Sequence, residues 1–464
     1  MEKRKAELVV VGAGPGGYAA AFYGADLGKQ VILVDQADRL GGVCLNRGCI
    51  PSKALLHATE LIEEAKSAEE KGLSFGPVKV ELDKLRAWKQ SIIDKLSGGI
   101  AGLAKKRKVE VLKGRGYFES STVLRVETAE GQVMVEFEKA IVAVGSRPAM
   151  PAAFDLGSKR IMTSTEALEI EDIPQTLLVV GGGYIGMELG TVYASLGSQV
   201  TVVEAGKAIL AGADPDLARP VVNYAKAHFK EIRLGAKVQK MATAGKKIKV
   251  VMEHDGKTVE DSFDRVLVSI GRSPNSKNLG LENTKVAVDD KGFITVNKQQ
   301  QTADANIYAI GDIAGGLMLA HKASKEARIA VEVICGQNSS FNSIIPAVVF
   351  THPEVAWAGL TETEAKAQGK VVKVAKFPWG ASGRALTLDA KDGLTKLIID
   401  PQTERILGVG IVGPHAGDLI GEGVLAIEMG ATAEDLALTV HPHPTLSETL
   451  MESAEVFLGH CVHS

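Results

Sequence analysis

The stretch that decides the fold is Leu8-Val9-Val10-Val11-Gly12-Ala13-Gly14-Pro15-Gly16-Gly17. Its four apolar residues predict a buried parallel strand, and the glycines that follow fit the pattern G-x-G-x-x-G. A helix is expected over 18–27, and a second strand over 31–34 ends in Asp35. Such glycines let the backbone approach a pyrophosphate at a helix N-terminus, and the acid can bond a ribose hydroxyl. A tight turn without a ligand is the weaker alternative, because both strands and the acid are in register.

The same order of parts returns further along the chain. A strand over 177–180 leads into Gly181-Gly182-Gly183-Tyr184-Ile185-Gly186, a helix is expected over 187–196, and a strand over 200–203 ends in Glu204. This repetition indicates an internal duplication, so one chain is expected to hold two nucleotides. Glu204 would bond a free 2′-hydroxyl and repel a 2′-phosphate, and no arginine pair follows it. The second unit is therefore predicted to prefer NAD over NADP.

Two cysteines lie five positions apart in Cys44-Leu45-Asn46-Arg47-Gly48-Cys49-Ile50-Pro51-Ser52-Lys53. On a regular helix such residues face different directions and are separated by about 7.5 Å along the axis. A disulfide needs Cα atoms about 5.5–6 Å apart, so the pair can close only in a distorted turn, which Gly48 permits. A bridge in unusual geometry is easily reduced, which favours a redox-active dithiol. Spacing alone supports two unrelated buried thiols equally well.

Near the C-terminus stands His441-Pro442-His443-Pro444-Thr445-Leu446-Ser447-Glu448. Two prolines fix the local backbone and can aim a side chain. Glu448 is expected near the start of a final helix over 448–458, where its carboxylate could orient the His443 ring as in a general base. Spacing alone favours the alternative of two ordinary loop histidines. A zinc site is a further alternative, but neither the other histidines nor Cys461 has a spacing typical of zinc ligands.

Other segments carry weaker signals. Asp312 follows a glycine at the end of a predicted strand, which suits a ribityl hydroxyl, although it could instead cap a helix around 319–335. Amphipathic helices are predicted over 52–71 and 81–104, alternating strands over 109–139, and short strands over 292–313. From position 346 the composition changes, and strands at 395–400 and 405–412 with a helix at 417–429 predict a separate α+β domain.

Composition narrows the class of protein. The 464 residues predict two to four domains. A net charge of −3 without a long basic run argues against a nucleic-acid partner. Four cysteines are too few for a disulfide framework, which favours a reducing compartment. No uninterrupted apolar stretch reaches membrane-spanning length, and the run after the basic N-terminus stops at Gly12, unlike a signal peptide. A soluble, cytoplasmic protein is expected.

Taken together, these motifs resemble those of the pyridine nucleotide–disulfide oxidoreductases over nearly the whole chain. The most specific pieces are Gly41 to Lys53, Ala309-Ile310-Gly311-Asp312, Met318-Leu319-Ala320-His321-Lys322, and His443-Pro444-Thr445 with Glu448. The resemblance implies an α/β fold with two duplicated Rossmann-like dinucleotide-binding domains, for FAD and NAD, and a C-terminal α+β dimerisation domain. The implied segments are 1–147 for FAD, 148–271 for NAD, 272–345 completing the FAD domain, and 346–464 for dimerisation.

The resemblance also assigns residues to the cofactors. For FAD it implies Gly12, Gly14, Gly17, Asp35, Gly42, Lys53, Gly116, Gly145, Asp312 and Ala320. For NAD it implies Gly181, Gly183, Gly186, Glu204, Val238 and Gly271. Within this assignment Asp35 would bind the adenosine ribose, and Lys53 would lie beside the isoalloxazine ring within reach of Glu188. No metal is implied.

The implied activity is the NAD-dependent reoxidation of protein-bound dihydrolipoamide to lipoamide. The protein would be a homodimer within 2-oxo acid dehydrogenase complexes, with lipoyl domains and the core acyltransferase as partners. Cys44 would face the substrate and Cys49 the flavin, and His443 with Glu448 would come from the other subunit as the base. Arg47 could favour a thiolate or simply face solvent.

Three kinds of rival function are weighed against this one: another disulfide reductase, a scaffold subunit and a flavoprotein without a thiol step. Glu204 argues against an NADPH-dependent reductase such as one for glutathione, and the single Cys461 argues against a mercury reductase. An inert scaffold subunit would not need two cysteines, a histidine and a glutamate in these positions. A flavoprotein transhydrogenase without a thiol step would lack the cysteine pair.

Overall fold

The computed structural model describes residues 2–463. In chain order its strands are β1 (Glu2–Val11), β2 (Val31–Asp35), β3 (Glu110–Lys113), β4 (Arg115–Ser120), β5 (Val123–Thr128), β6 (Gly131–Val142), β7 (Ser146–Pro148), β8 (Ile161–Met162), β9 (Thr176–Val180), β10 (Gln199–Glu204), β11 (Glu231–Leu234), β12 (Lys237–Ala244), β13 (Lys247–His254), β14 (Lys257–Phe263), β15 (Arg265–Val268), β16 (Arg272–Pro274), β17 (Ile307–Ala309), β18 (Ala347–Val349), β19 (Val355–Gly359), β20 (Lys373–Pro378), β21 (Leu394–Ile399) and β22 (Ile406–Val412). Its α-helices are α1 (Pro15–Asp26), α2 (Gly42–Arg47), α3 (Cys49–Ser67), α4 (Leu82–Lys106), α5 (Ser164–Ala167), α6 (Tyr184–Ser195), α7 (Pro215–His228), α8 (Ala320–Ile334), α9 (Glu362–Ala367), α10 (Gly383–Thr387), α11 (Ala416–Met429), α12 (Ala433–Leu438) and α13 (Glu448–Leu458).

The first glycine motif follows β1 at the centre of a sheet with the order β3-β2-β1-β6-β5-β4, and β17 pairs with β6. β1 runs parallel to both β2 and β6. Leu8 and Val10 face a core formed with α1, α4 and α8, whereas Val9 and Val11 face a second core on the other side. Burial on both faces explains why this strand is a continuous apolar run rather than an alternating one.

The second glycine motif follows β9 in a parallel sheet with the order β11-β10-β9-β15-β8. Here Leu177 and Val179 face one core, and Leu178 and Val180 face another. The order β11-β10-β9 repeats the order β3-β2-β1 of the first sheet. The predicted duplication of the nucleotide-binding unit is confirmed.

The C-terminal part is an antiparallel sheet with the order β18-β19-β22-β21-β20, packed against α11 and α13. Trp379 is fully buried in its core, and its indole N–H donates to the Thr395 hydroxyl at 2.9 Å. The predicted α+β domain is confirmed.

Most predicted helices and strands fall within a few residues of the observed ones. The clearest departure is over 292–313, where β17 is the one regular strand and the remaining pairing is by isolated bridges, such as Gln301 with Tyr308. Among residues 2–463, no helix is both long and apolar enough to cross a membrane.

Candidate active site

The two cysteines sit on either side of a break between helices. α2 ends at Arg47, α3 begins at Cys49, and Gly48 between them has φ −149° and ψ −113°. This is the distorted turn that the five-residue spacing predicted. Cys44 and Cys49 are not bridged, and their thiols are hydrogen-bonded to each other. Asn46 braces the turn by donating from Nδ2 to the Gly42 carbonyl at 2.9 Å.

The environment of the pair places the negative charge on Cys49. A hydrogen bond from Cys44 lowers the pKa of Cys49 to about 7, against the opposing effect of burial, and the positive charge of Lys53 acts in the same direction. The same hydrogen bond, together with burial, raises the pKa of the Cys44 thiol. Since the thiolate is the reactive form of a cysteine, the two sulfurs are chemically distinct.

Lys53 connects the cysteine helix to the second nucleotide unit. Its Nζ lies 3.0 and 2.8 Å from the carboxylate oxygens of Glu188 on α6, and 4.5 Å from the centre of the Phe350 ring. The Phe350 N–H also donates to Glu188 at 3.0 Å. The Glu188 side chain is only 4% exposed, so both partners are needed to stabilise its charge.

A cavity of about 820 Å³ joins the first glycine motif to the cysteines. Its lining includes the predicted site residues Gly12, Gly14, Asp35, Gly42, Cys44, Cys49, Lys53, Gly145, Glu188, Asp312 and Ala320. It also includes Arg47 and four residues that the sequence did not single out: Asn46, Ser146, Tyr184 and Arg272. Burial raises the pKa of Tyr184 to about 12, so this phenol is neutral at physiological pH. The volume falls within the range of about 300–1,000 Å³ typical of small-molecule and cofactor sites.

The acids at the ends of β2 and β10 make equivalent contacts within their own nucleotide units. Asp35 accepts from the Ala13 N–H at 2.5 Å and from the Ala37 N–H at 2.7 Å. Glu204 accepts from the Gly182 N–H at 2.7 Å and from the Gly206 N–H at 2.6 Å. Each carboxylate thus braces its own glycine turn, a role that the motif alone did not reveal, and keeps lone pairs for a ribose hydroxyl.

Both glycine turns have the shape of a phosphate cradle. A Cβ built on Gly17 would lie 1.7 Å from the Gly12 carbonyl oxygen, and one on Gly186 would lie 2.1 Å from that of Gly181. The helix and the strand therefore approach each other more closely than any residue other than glycine would allow at these positions. Gly183 faces open space, and no side chain caps α1 or α6, so the first-turn N–H groups remain available to an anion. These features fit two dinucleotides.

Asp312 is held by residues from the strands that connect the two units. It accepts a hydrogen bond from the Ser146 hydroxyl and lies 3.7 Å from Nε of Arg272, which itself donates to Ser146 at 2.7 Å. The helix after it begins only at Ala320, with Leu319 at the capping position. The alternative that Asp312 caps this helix is therefore wrong.

His443 and Glu448 are in direct contact. His443 Nδ1 lies 2.8 Å from Oε1 of Glu448, whose Oε2 accepts from the Thr445 N–H at 2.7 Å. Burial disfavours the charge on Glu448, but these hydrogen bonds outweigh it and lower the pKa of the carboxyl group. The remaining ring nitrogen of His443 is directed outward, since the side chain is largely exposed. Neither residue lines the cavity that contains the cysteines.

The C-terminal residues fold back onto α13. The Cys461 thiol donates to Glu452 at 3.1 Å, and Nδ1 of His463 lies 2.6 Å from the other oxygen of the same carboxylate. Glu452 is one helical turn from Glu448.

The other predicted site residues lie outside this cavity. Gly116 is on β4, where a Cβ would lie 3.2 Å from the Val11 side chain, and Val238 is buried on β12. Gly271 precedes β16 with φ +122°. Gly17, Gly181, Gly183, Gly186 and Glu204 occupy their two glycine motifs as described. The structure therefore brings the cysteines, Lys53, Glu188 and the first glycine motif together, and leaves the histidine–glutamate pair apart from them.

Two duplicated dinucleotide units, a paired-cysteine turn and a C-terminal α+β sheet define the class of protein. Residues 6–327 match the model of the pyridine nucleotide-disulphide oxidoreductase family, and residues 345–454 match the dimerisation domain of that family. The chain belongs to the pyridine nucleotide-disulphide oxidoreductases. It is accordingly a flavoprotein oxidoreductase whose cofactors are FAD and NAD(H).

Curated relatives and solved structures agree with this assignment. The chain is 49% identical to the dihydrolipoyl dehydrogenase of Vibrio cholerae, over 98% of this chain and 96% of the relative. It is 45% identical to that of Staphylococcus aureus, over 99% and 98% of the two chains. LpdA from Mycobacterium tuberculosis superposes with a TM-score of 0.90 at 29% identity, covering 98% and 99%. The HOCl-induced flavoprotein disulfide reductase RclA from Escherichia coli gives 0.88 at 27% identity, covering 97% and 99%.

Proposed function

We propose that this protein is a dihydrolipoyl dehydrogenase, which oxidises protein-bound dihydrolipoamide to lipoamide and reduces NAD⁺. The observation that carries the proposal is the Cys44–Cys49 pair, hydrogen-bonded at a helix break and facing a cavity that begins at a dinucleotide motif. The identity to relatives of that name over nearly the full length supports the choice among disulfide reductases.

The two cofactors are assigned to the two glycine motifs. Gly12, Gly14, Gly17 and Asp35 would hold the FAD pyrophosphate and ribose, with Gly42, Lys53, Gly116, Gly145, Asp312 and Ala320 along the rest of the cofactor. Gly181, Gly183, Gly186, Glu204, Val238 and Gly271 would hold NAD. When bound, FAD supplies the two-electron acceptor between thiols and NAD⁺. Lys53, fixed by Glu188, places a positive charge in the lining of the cavity.

The thiol step uses groups whose chemistry is set by their neighbours. His443, oriented by Glu448, takes a proton from one thiol of dihydrolipoamide, and the resulting thiolate attacks Cys44 of the oxidised pair. The Cys44–Cys49 bond breaks as the mixed disulfide forms, and Cys49 leaves as a thiolate. The low pKa of Cys49, about 7, makes it the better leaving group. The second substrate thiol then attacks the substrate sulfur of the mixed disulfide, so that the bond to Cys44 breaks and lipoamide closes. Cys44 leaves as a thiolate and takes up the proton of that second thiol.

The base would act in a homodimer. His443 and Glu448 do not line the cysteine cavity of their own chain, and the surface around them carries the exposed apolar side chains Leu425, Met429, Leu438 and Val440. A second copy covering this surface would bury these side chains and bring its His443 toward the first copy's cysteines. The match to a dimerisation domain over 345–454 supports this arrangement.

Further assignments follow from the same proposal. The partners would be lipoyl domains and the core acyltransferase of a 2-oxo acid dehydrogenase complex, and the low cysteine content supports a reducing cytoplasm. The domains would be divided at 1–147, 148–271, 272–345 and 346–464. The first break would then fall within β7, which pairs with β16 between the two nucleotide units.

The test is anaerobic titration of the oxidised, FAD-loaded protein with dihydrolipoamide, followed by steady-state assays. We expect a long-wavelength absorbance band after two electrons, which should be absent in Cys49→Ser. NAD⁺ reduction should be at least about 100-fold faster with dihydrolipoamide than with glutathione at equal thiol concentration. A wild-type protein that oxidises glutathione equally well, or a band that persists unchanged in Cys49→Ser, would overturn the proposal.

A further inference from the structure

One polar side chain in the loop that carries His443 turns inward. The loop, residues 439–447, connects α12 to α13, and its members from Thr439 to Pro444 are exposed apart from His441. Val440 is 92% exposed, whereas the His441 side chain is only 4% exposed. Burying a polar ring while an adjacent apolar side chain faces water is unfavourable unless the ring has specific partners.

Both nitrogens of the buried ring have such partners. Nε2 of His441 lies 2.6 Å from Oε1 of Glu422 on α11, and Nδ1 lies 2.8 Å from the Thr439 carbonyl oxygen. A carboxylate and a carbonyl oxygen can only accept hydrogen bonds, and a neutral imidazole has a single N–H to donate. The two contacts together thus occupy both nitrogens of the ring. His441 and Glu422 form a partly buried contact between the loop and α11.

A short series of hydrogen bonds links this contact to the base. The carbonyl of Pro442, the residue after His441, accepts from the Thr445 hydroxyl at 2.7 Å. The Thr445 N–H holds one oxygen of Glu448, and the other oxygen holds His443. Thus the backbone beside His441 is coupled to the carboxylate that orients the exposed His443 ring.

We infer that His441 is a positioning residue for the base, and that with Glu422 it clamps the loop against α11 so that His443 keeps its orientation. This inference rests on the proposed function, because it concerns the base of the thiol step. Of the charged groups, Glu422 of α11 contacts the ring directly, and Glu448 of α13 is close enough to be affected by it. The positive charge of His441 is also one of the causes that lower the pKa of Glu448.

The experiment compares two activities of the same FAD-loaded protein. Oxidation of dihydrolipoamide by NAD⁺ needs the base, whereas reduction of ferricyanide by NADH uses the nicotinamide side and needs no thiol deprotonation. In His441→Ala we expect kcat/KM for dihydrolipoamide to fall about 10- to 100-fold, the range for misplacing a catalytic group. The NADH–ferricyanide activity should stay within about twofold of wild type. A change in the ratio of the two activities is an effect that general loss of folded protein does not produce.

Matched variants keep the inference falsifiable. Glu422→Ala removes the same contact from another element and should reproduce the selective loss, even if His441→Ala folds poorly. Glu422→Gln can still hydrogen-bond the ring and should remain within about threefold of wild type. His415→Ala, an exposed histidine at the start of α11, is the control and should change neither activity. An unchanged activity ratio in His441→Ala and Glu422→Ala, or equal losses in Glu422→Gln and Glu422→Ala, would overturn the clamp. An inactive wild type would instead count against the proposed function.

Discussion

Nζ of Lys53 lies 2.8 Å from Oε2 of Glu188, although 135 residues separate them in the chain. Lys53 stands one turn into the helix that begins at Cys49, and Glu188 stands in the helix that begins within the second glycine motif. The contact therefore joins the cysteine turn directly to the second nucleotide unit. The N–H of Phe350, from the start of the C-terminal sheet region, meets the same carboxylate. One buried charge thus connects three parts of the fold.

Removing Lys53 should affect both stability and the cysteines. Lys53→Met leaves the nearly buried Glu188 with only the Phe350 N–H, which should destabilise the protein by roughly 2–4 kcal/mol in denaturant unfolding. Loss of the positive charge should also raise the pKa of Cys49, because Lys53 is one of the causes that lower it. Lys53→Arg, which keeps the charge, is the matched control and should leave the Cys49 pKa nearer that of wild type. An unchanged Cys49 titration in Lys53→Met would contradict this electrostatic role.

The reduced protein should show one unusually acidic thiol. The rate of Cys49 alkylation by iodoacetamide, measured by peptide mass spectrometry, should rise with pH around a midpoint of about 7. For an ordinary cysteine the midpoint would lie at a pH of about 8.5. Because a hydrogen bond from Cys44 is the largest cause of the shift, Cys44→Ala should move the midpoint upward. Cys44→Ser keeps a donor and should retain a lower midpoint than Cys44→Ala; equal midpoints would show that the hydrogen bond has no role.

Local patterns predicted much of the site. Strand, glycine turn, helix and terminal acid occur together in sequence, so both dinucleotide units could be recognised without any long-range contact. The helix break at Gly48 follows from the chemistry of a five-residue cysteine spacing. The contact between His443 and Glu448 was only one hypothesis from the residues, since spacing alone favoured two ordinary loop histidines, and the resemblance to the family supported it.

Contacts between distant segments could not be predicted in the same way. Nothing near Phe350 or Arg272 in sequence indicates that they approach Glu188 and Asp312, since those approaches depend on how the sheets pack. Likewise, spacing alone treated His441 as an ordinary loop histidine, because its partner Glu422 lies on a different helix. The resemblance to a family supplied roles for single residues, whereas the hydrogen bonds and ion pairs that hold those residues in place were visible only in the three-dimensional structure.

Cofactor preference should depend on Glu204. Glu204→Arg removes the carboxylate that would repel a 2′-phosphate and adds a cation that would attract one. We expect the ratio of kcat/KM for NADP⁺ to that for NAD⁺ to increase at least about tenfold. The variant also loses the hydrogen bonds from the N–H groups of Gly182 and Gly206 that brace the glycine turn. Glu204→Gln, which alters the same carboxylate but adds no cation, is therefore the control. If each variant changes kcat/KM for NADP⁺ and for NAD⁺ by the same factor, Glu204 does not select the nicotinamide cofactor.

The ion cluster around Lys396 should make the free energy of unfolding fall at acid pH. Its Nζ, on β21 and 1% exposed, lies 2.7 Å from Asp214, 2.9 Å from Asp216 and 3.0 Å from Glu362. Burial disfavours the charges of Asp214 and Asp216, but hydrogen bonds outweigh it and lower both pKa values; Lys396 donates to both, with Thr363 and the Glu362 N–H also donating to Asp214 and Lys376 to Asp216. Lys396→Met would leave these carboxylates without their buried cation and should reduce the free energy of unfolding by about 3–5 kcal/mol at pH 7.

The pH dependence of that loss follows from the direction of the two shifts. Groups with a lowered pKa in the folded state stabilise it above their unfolded pKa of about 3.9, and this contribution is lost as the pH falls below that value. The difference between wild type and Lys396→Met, measured by urea unfolding, should therefore be largely kept from pH 7 down to about 5 and shrink as the pH falls through about 4 and below. Lys376→Met removes a lysine that contacts Asp216 and Glu362 but is 41% exposed, and it should cost less than about 1 kcal/mol. Equal losses in the two variants at pH 7 would show that burial of the cation is not what makes Lys396 important.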